Sequence, residues 1–372
     1  MKIALVTHRV ERGDGQGRVN HEIARHCLAR GNDITLVADR VDAELVRRGA
    51  KWIRVSPRFH KPRLMEVAGF ARAANGLLAS ASATYDLVVA NGFTLTRPHH
   101  VNLCHFVHHG WRKARGSSGR SAASPRAWYQ RAYTRYNVGR ERDAFAAART
   151  VVAVSERVKS ELVGSGVNGE KIRVIPNGVD LQEFKPGHEP RAELGLPEGR
   201  ALALFVGDLR TERKNLRSVL HALARVRDLH LAVAGATAGS PFPRLADQLG
   251  VAGRVHFLGF RDDVARLMRA CDLLVFPSRY EPFGLVVLEA LASGLPVVTA
   301  RAVGASAIVT AACGRVMDDA DDVAALESKM RELASDAPLR RRLAEGARAA
   351  AESHGWQATA ERYLSLFQEH LS

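Results

Sequence analysis

Apolar residues fall along this chain in two alternating series. In the first half, short apolar runs at 2–7, 33–38, 51–55, 86–90, 101–105 and 151–154 alternate with stretches of helical spacing at 17–30, 62–82, 125–148 and 155–165. Runs of that length between polar or Gly/Pro punctuation read as buried strands, and a period near 3.6 reads as helix. Alternation of the two predicts a parallel sheet covered on both faces. A second series follows, with strands expected at 201–206, 230–234, 254–258, 272–276 and 296–299, and helices at 214–227, 262–270 and 284–293. Helical spacing then fills 321–335 and 337–370, broken near Gly355. Between the series, Lys171–Asp180 ends in turn residues and the polar, Pro-rich Lys185–Pro190 follows. The reading is therefore α/β, with one doubly wound, Rossmann-like domain over 1–187 and a second over 188–352. A length of 372 residues suits two cores rather than one. The default ligand position is a cleft between two such halves, at the carboxyl ends of their strands.

One predicted helix breaks the pattern. Within 276–298, Leu285, Val286, Val287, Leu288, Ala290, Leu291 and Ala292 leave no solvated face, yet Glu281 and Glu289 lie eight residues apart around Gly284. Carboxylates in such surroundings are costly unless something binds them. The order strand, turn, Gly284, helix also presents free backbone N–H groups, which suits a phosphate. A purely structural alternative has Glu281 capping the helix and Glu289 paired with an arginine.

Composition narrows the classes. Hydrophobic content of 46% and a mean hydropathy of −0.14 describe a water-soluble globular chain. No run of 18 apolar residues occurs, so no membrane-spanning helix is expected. Met1–His8 reads as a first strand rather than a signal peptide. Cys27, Cys104, Cys271 and Cys313 are scattered without a CxxC pair and read as reduced core residues of a cytoplasmic protein. The net charge of +15 calls for an acidic partner. Residues 112–143 hold nine bases (Arg112, Lys113, Arg115, Arg120, Arg126, Arg131, Arg135, Arg140, Arg142) against Glu141 and Asp143, with Trp111, Trp128, Tyr129, Tyr133 and Tyr136 close among them. That mixture suits single-stranded nucleic acid or anionic lipid headgroups. A charged helix that merely covers the first domain is the plain alternative. Gly116–Gly119 reads as a flexible loop inside it.

Three further constellations bear on chemistry. Gly207–Asn215 follows strand 201–206 and precedes a helix, placing Arg210, Arg213 and Lys214 at a strand end; Arg offers a fork to phosphate oxygens and Lys a point charge. Gly13-Asp14-Gly15-Gln16-Gly17-Arg18 lies between the first strand and helix, with Asp39 ending the next strand. The third glycine of a dinucleotide fingerprint is absent, so this turn suits a phosphate in general and NAD only weakly. His99, His100, His105, His108 and His109 cluster around strand 101–105; their spacing hints at metal, but no tight ligand set is completed. His105, at the strand's end, is the best cleft-lining candidate.

Taken together these residues resemble the retaining glycosyltransferases of family 4, with the GT-B fold of two Rossmann-like domains facing a central cleft. Glu281-Pro-Phe-Gly-Leu-Val-Val-Leu-Glu289 matches the E-x7-E motif, while Val174–Asp180, Val154–Glu156 and Phe205–Asn215 match other family segments. The resemblance implies that 1–187 is the acceptor-side domain and 188–352 the nucleotide-sugar-binding domain, with a final helix, 353–372, that returns to the first. It implies that Lys214 with Arg210 or Arg213 neutralises the diphosphate of a UDP- or GDP-sugar donor, helped by backbone N–H groups at Gly284 and Leu285 and by the glycine turn at Gly15 and Gly17. Glu289 would take the ribose hydroxyls, Glu281 hydroxyls of the transferred sugar, and His105 would lie close to that sugar. No metal and no cofactor is implied. The implied activity is hexosyl transfer to a cell-envelope glycan or lipid-linked acceptor, such as lipopolysaccharide or exopolysaccharide, on the cytoplasmic side. An anionic inner-membrane surface would meet residues 111–143, with no nucleic-acid partner. Asp208 stands where many members carry the phosphate-binding Arg, and Ala307 where they carry a Glu. A sugar-nucleotide 2-epimerase of the same architecture is the alternative enzyme, and a nucleic-acid-binding protein the non-enzymatic one.

Overall fold

The computed structural model describes residues 1–13, 15–57, 61–81, 84–111 and 125–371. The chain divides into two units, Met1–Asn177 with Trp356–Ser372, and Gly178–Gly355. The first contains strands β1 (Lys2–Val6), β2 (Arg9–Val10), β3 (Asp33–Ala38), β4 (Arg40–Val41), β5 (Lys51–Arg54), β6 (Leu87–Asn91), β7 (His99–Cys104), β8 (Ala148–Ala153) and β9 (Ile172–Val174). The second contains β10 (Ala201–Val206), β11 (Leu229–Ala234), β12 (Val255–Gly259), β13 (Leu273–Phe276), β14 (Val297–Ala300) and β15 (Gly314–Met317).

Seven strands of the first unit form a sheet in the order β5-β3-β1-β6-β7-β8-β9, and β2 pairs separately with β4. The second sheet runs β12-β11-β10-β13-β14-β15. The registers of both sheets are parallel, for instance Ile3 beside Ile34 and Ala203 beside Leu231. In each unit the strand order reverses beside the first strand, between β1 and β6 and between β10 and β13. Chains leaving the carboxyl ends of those two strands part there and open a crevice in which ligands of such sheets bind. The unbroken apolar run of the central strands follows from helices on both faces. Phe70, Ala74 and Leu78 of the helix Arg63–Ala81 cover Ala4, Val6, Val88 and Ala90. Leu216, Val219, Leu220 and Leu223 of the helix Leu216–Leu223 cover Phe205, Leu231 and Val233.

The boundary between the units falls after Asn177, earlier than residue 187, and the closing helix begins at Trp356 rather than 353. Hydrogen bonds explain both shifts. The Val179 N–H donates to the His354 carbonyl at 2.9 Å, and the Arg348 guanidinium donates to the carbonyls of Phe184 at 3.2 Å and Ala292 at 3.0 Å. The segment after Asn177 is thus tied into the second unit. The helix Trp356–Glu369 belongs to the first: Tyr363, Leu366 and Phe367 are buried, Thr359 donates to the Pro176 carbonyl at 3.4 Å, and Glu361 pairs with Arg30 at 2.9 Å.

Short elements escape the periodicity: β2, β4, β9, β15 and the helices Ala43–Arg47 and Phe242–Gln248. None of the four cysteines forms a disulfide, and Cys271 is partly exposed rather than a core residue.

Candidate active site

In the second unit the crevice between β10 and β13 is built by two loops that hold each other. After β10 the chain turns through Glu212–Lys214 into Asn215, a buried residue with a left-handed backbone (φ 65°) whose side chain donates to the Ala320 carbonyl at 2.7 Å. After β13, the Arg279 N–H and the Ser278 hydroxyl both donate to the Arg213 carbonyl, at 2.9 and 3.0 Å. The two loops are therefore fixed as one piece.

That piece gathers the charges. Lys214 Nζ pairs with Glu281 Oε2 and lies 4.8 Å from the centre of the Phe276 ring. Arg213 donates to the same Glu281 oxygen at 3.2 Å and to the Tyr280 carbonyl at 3.3 Å. Burial pulls the Lys214 ammonium below its ordinary pKa, against the opposing attraction of Glu281. Arg210 is elsewhere: it is 67% exposed and held by Asp208 through contacts of 2.9 and 3.3 Å. Of the three basic residues of this turn, the fold brings Arg213 and Lys214 together and turns Arg210 toward its neighbour.

Gly284 starts the helix Leu285–Ala292 with φ 95°, and a Cβ there would approach Val303 to 2.8 Å. Glycine is required on both counts. The loop before it is pinned by the Glu281 N–H donating to the Ala302 carbonyl at 3.1 Å and the Ala305 N–H donating to Phe283 at 2.7 Å. The first N–H groups of the helix, Leu285 and Val286, have no intrahelical acceptor. The helix is not sealed on every side: Leu285, Val286 and Glu289 form a partly open stripe, while Val287, Leu288 and Ala290–Ala292 are buried. Glu289 stands one turn in from that N-terminus.

In the first unit the corresponding crevice, at the ends of β1, β6 and β7, contains a cavity of about 450 Å³. His105 lines it, and burial holds its imidazole near pKa 4. Gly15 is exposed and Gly17 buried at the start of the helix Gly15–Ala29. Between them Gln16 donates to the Asn91 side chain at 3.1 Å. Asp39, the ribose candidate of a dinucleotide site, accepts from Ser56 at 2.9 Å. The histidines do not converge on a metal: His99 bonds the Arg97 carbonyl at 2.7 Å, His100 accepts from the Val88 N–H at 3.0 Å, and His108 bonds Glu141 at 2.6 Å. Sequence reasoning missed His8, which follows β1 and lines the same cavity, and Glu141, which is buried against His108. Position at the end of the first strand was the available signal for His8; for Glu141 it was an acid recurring inside a basic helix.

Much of the basic stretch, including Arg112, Lys113, Arg115, Arg120, the Gly116–Gly119 loop and the Arg126 side chain, lies outside the described residues, as does Asp14. Along the described part of the helix Pro125–Ala147, Arg140 donates to Thr96 at 3.2 Å and the Tyr129 hydroxyl accepts from the Leu64 N–H at 3.1 Å. Trp128 is 72% exposed, and Arg131, Arg135 and Arg142 are exposed as well. No described helix is long and apolar enough to cross a membrane.

Residues 13–183 match the family described as Glycosyltransferase Family 4, and residues 188–350 match Glycosyl transferases group 1. A 177-residue stretch is 38% identical to the D-inositol 3-phosphate glycosyltransferases of Mycobacterium bovis and Mycobacterium tuberculosis, covering 45% of this chain and 37% of each relative. The chain is also similar in fold to the sucrose-phosphate synthase of Thermosynechococcus elongatus (TM-score 0.81, 20% identity, 99% and 98% of the two chains). It is similar to WaaG, a glycosyltransferase involved in lipopolysaccharide biosynthesis (0.79, 23%, 98% and 99%). A third likeness is to Anabaena HepE solved with UDP-glucose (0.73, 21%, 99% and 100%). With two parallel α/β units of the GT-B type and a match to a glycosyltransferase family along each, the chain belongs to the family 4, group 1 glycosyltransferases.

Proposed function

We propose that this protein transfers a hexose-type sugar from a UDP- or GDP-sugar to a hydroxyl of a cell-envelope glycan or lipid-linked acceptor, with retention and without a metal. One observation carries the reading: Lys214 and Arg213 converge beside the open N-terminus at Gly284, at the switch point of the second sheet. Two cations and a row of unpaired N–H groups suit a diphosphate. The phosphates would take over both cations from Glu281 and meet the N–H groups of Gly284 and Leu285, while Glu281 turns its carboxylate to hydroxyls of the transferred sugar. Glu289 would hold the ribose. HepE, solved with UDP-glucose, and WaaG, named for lipopolysaccharide biosynthesis, support the donor and acceptor classes.

In the reaction the acceptor hydroxyl oxygen bonds to the anomeric carbon on the face the diphosphate leaves. The bond to the diphosphate oxygen breaks, and the hydroxyl proton passes to that departing oxygen. Stabilising the charge that builds on the diphosphate is then the main catalytic contribution of the protein. Lys214→Ala should lower kcat/KM by about 100-fold or more, the usual effect of removing one preorganised donor, whereas Arg210→Ala should stay within about threefold. Wild-type transfer by Lys214→Ala at saturating donor would overturn the assignment, and the anomeric configuration of the product by NMR tests retention.

We also propose that the protein works on the cytoplasmic face of the inner membrane, docked through the exposed face of the helix Pro125–Ala147. Trp128, Arg131, Arg135 and Arg142 recur there at helical spacing on one side. Co-flotation with anionic vesicles is the signature of that docking.

A further inference from the structure

The first helix of the chain carries a histidine that sugar transfer does not explain. His21, on the helix Gly15–Ala29, is fully buried, yet neither of its ring nitrogens has a hydrogen-bond partner. Three carboxylates lie just beyond hydrogen-bond reach. Glu22 Oε1 is 3.6 Å from Nδ1, and Asp42 Oδ2 and Glu44 Oε2 are each 3.8 Å from Nε2. Interiors normally close such gaps, because a buried polar atom left unpaired is destabilising. Neither tautomer of the ring does so here. A proton on Nδ1 leaves the Nε2 lone pair facing two anions, and a proton on Nε2 is too far from either oxygen to bond well. A cation seated among the three atoms would satisfy all of them.

The geometry suits a metal ion. Nε2, Oδ2 and Oε2 all lie within 4.8 Å of one another. Ligand atoms of a tetrahedral zinc sit roughly 3.4 Å apart, so the two 3.8 Å separations need to close by only about 0.4 Å. The atoms that would not touch the ion are already engaged. Asp42 Oδ1 accepts from the Glu44 N–H at 2.9 Å as the cap of the helix Ala43–Arg47, and Glu44 Oε1 accepts from Arg48 at 2.9 Å. On the other side of the ring Glu22 is held by Arg25 at 2.8 Å and Arg18 at 3.1 Å. A carboxylate so placed favours the proton on Nδ1 and turns the Nε2 lone pair toward Asp42 and Glu44, the way ligating histidines are oriented. One group competes: Arg12 pairs with Glu44 Oε2, but its side chain is about half exposed and can turn out to water. With Arg18, Arg25 and Arg48 also close to these acids, a diffuse counter-ion gains little, and the buried imidazole decides which ion fits. Mg²⁺ and Ca²⁺ prefer oxygen throughout, whereas one imidazole with two carboxylates suits Zn²⁺, with water in the open position.

We propose that His21 Nε2, Asp42 Oδ2 and Glu44 Oε2 bind a divalent ion of the Zn²⁺ class, which ties the helix Gly15–Ala29 to β4 and the helix Ala43–Arg47. The ion has a structural role: none of its ligands lines the cavity at the strand ends of the first unit, and the metal-free transfer chemistry proposed above does not depend on it. Glu22 acts as a positioning residue that sets the tautomer and orientation of His21.

Equilibrium dialysis of the chelator-stripped full chain against ZnCl2, read by elemental analysis, tests the site. One tight equivalent should be retained in a large excess of Mg²⁺. Asp42→Asn, which keeps the helix cap, should weaken it by about tenfold or more, and Glu22→Gln, which removes no ligand, by about 10–100-fold. His21→Gln should weaken it too, and Asp42→Asn keeps the test decisive if that variant does not fold. Arg12→Gln should instead tighten binding, since it removes the competitor for Glu44, whereas a general loosening of the fold would weaken it. Zinc should also raise the melting temperature of the wild type and leave that of Asp42→Asn unchanged. The stacked pair His230 and His256, with Nδ1 and Nε2 3.1 Å apart, is a rival place for zinc in the second unit; His256→Gln should leave the tight equivalent in place. No tight equivalent, one that survives both His21→Gln and Asp42→Asn, one weakened by Arg12→Gln, or one lost in His256→Gln would each overturn the proposal.

Discussion

His8 and His105 make the stability of the first unit respond to acid in a particular window. Each has a folded pKa of about 4 against an ordinary value of 6.5, chiefly because burial disfavours the imidazolium; Arg63 and Arg9 lower His8 further and Asp39 partly offsets them. Between those values the unfolded chain binds more protons than the folded one. The stability that depends on neutral rings is thus complete above pH 6.5 and is lost as pH falls toward 4. The slope is at most about 1.4 kcal/mol per pH unit for each ring, less where water reaches it. Glu22 behaves differently: burial raises its pKa, but His21, Arg25 and Arg18 outweigh that and hold it at about 2. Its contribution is present above 4.5 and lost only below, so it leaves the window from 6.5 to 4.5 to the histidines. The melting temperature should therefore fall from pH 7 to pH 5, and His8→Phe should flatten the fall. An unchanged slope in that variant would remove His8 from the account. At this scale the sequence was half legible. Glu281, Gly284 and Lys214 announce themselves by chemistry that their apolar surroundings do not need. The capture of Arg210 by Asp208 depends on a turn conformation that spacing does not reveal.

Elements were legible in proportion to how completely they are buried. β1, β6, β10 and β13 lie at sheet centres, covered on both faces, so they appear as unbroken apolar runs. β15 lies at an edge, paired on one side with β14, and carries Arg315, whose guanidinium reaches Glu332 at 2.6 Å. Its pattern therefore has no strong period. The helix Leu285–Ala292 misled in the opposite sense, since its composition is apolar but for Glu289 while its structure leaves Leu285, Val286 and Glu289 partly open. The helix Pro125–Ala147 is the reverse case. Its inner side holds Asn137, Glu141, Ala144 and Phe145 in the interior, and its outer side presents Trp128 and three arginines. Each base near an anionic surface contributes about 1 kcal/mol, so the double substitution Arg131→Glu with Arg135→Glu should weaken binding to phosphatidylglycerol vesicles by more than tenfold. Flotation that is equal on phosphatidylcholine vesicles, or unaffected by the substitution, would remove the membrane reading.

For the whole molecule, the two units differ in how the chain builds them. The second is continuous, Gly178–Gly355, whereas the first needs both ends of the chain. The closing helix Trp356–Glu369 supplies Tyr363, Leu364, Leu366 and Phe367 to the interior of the first unit. Fully burying each such side chain is worth about 1.5–3 kcal/mol, so the four together are worth on the order of 6–12 kcal/mol. That rivals the entire stability of an ordinary domain, about 5–15 kcal/mol. A fragment of residues 1–177 should therefore fail to melt cooperatively on its own and should expose an apolar face that binds a hydrophobic dye. Supplying residues 356–372 through a linker should restore the transition. The fragment 178–355 should melt as one cooperative unit. Because Arg213, Lys214, Glu281, Gly284 and Glu289 all lie within it, UDP-glucose should still raise its melting temperature. Calorimetry of the three fragments with and without UDP-glucose decides both points. A cooperative transition in residues 1–177 alone would show that the closing helix is an accessory. A folded 178–355 fragment that ignores the nucleotide-sugar would move the donor site away from Lys214 and Gly284.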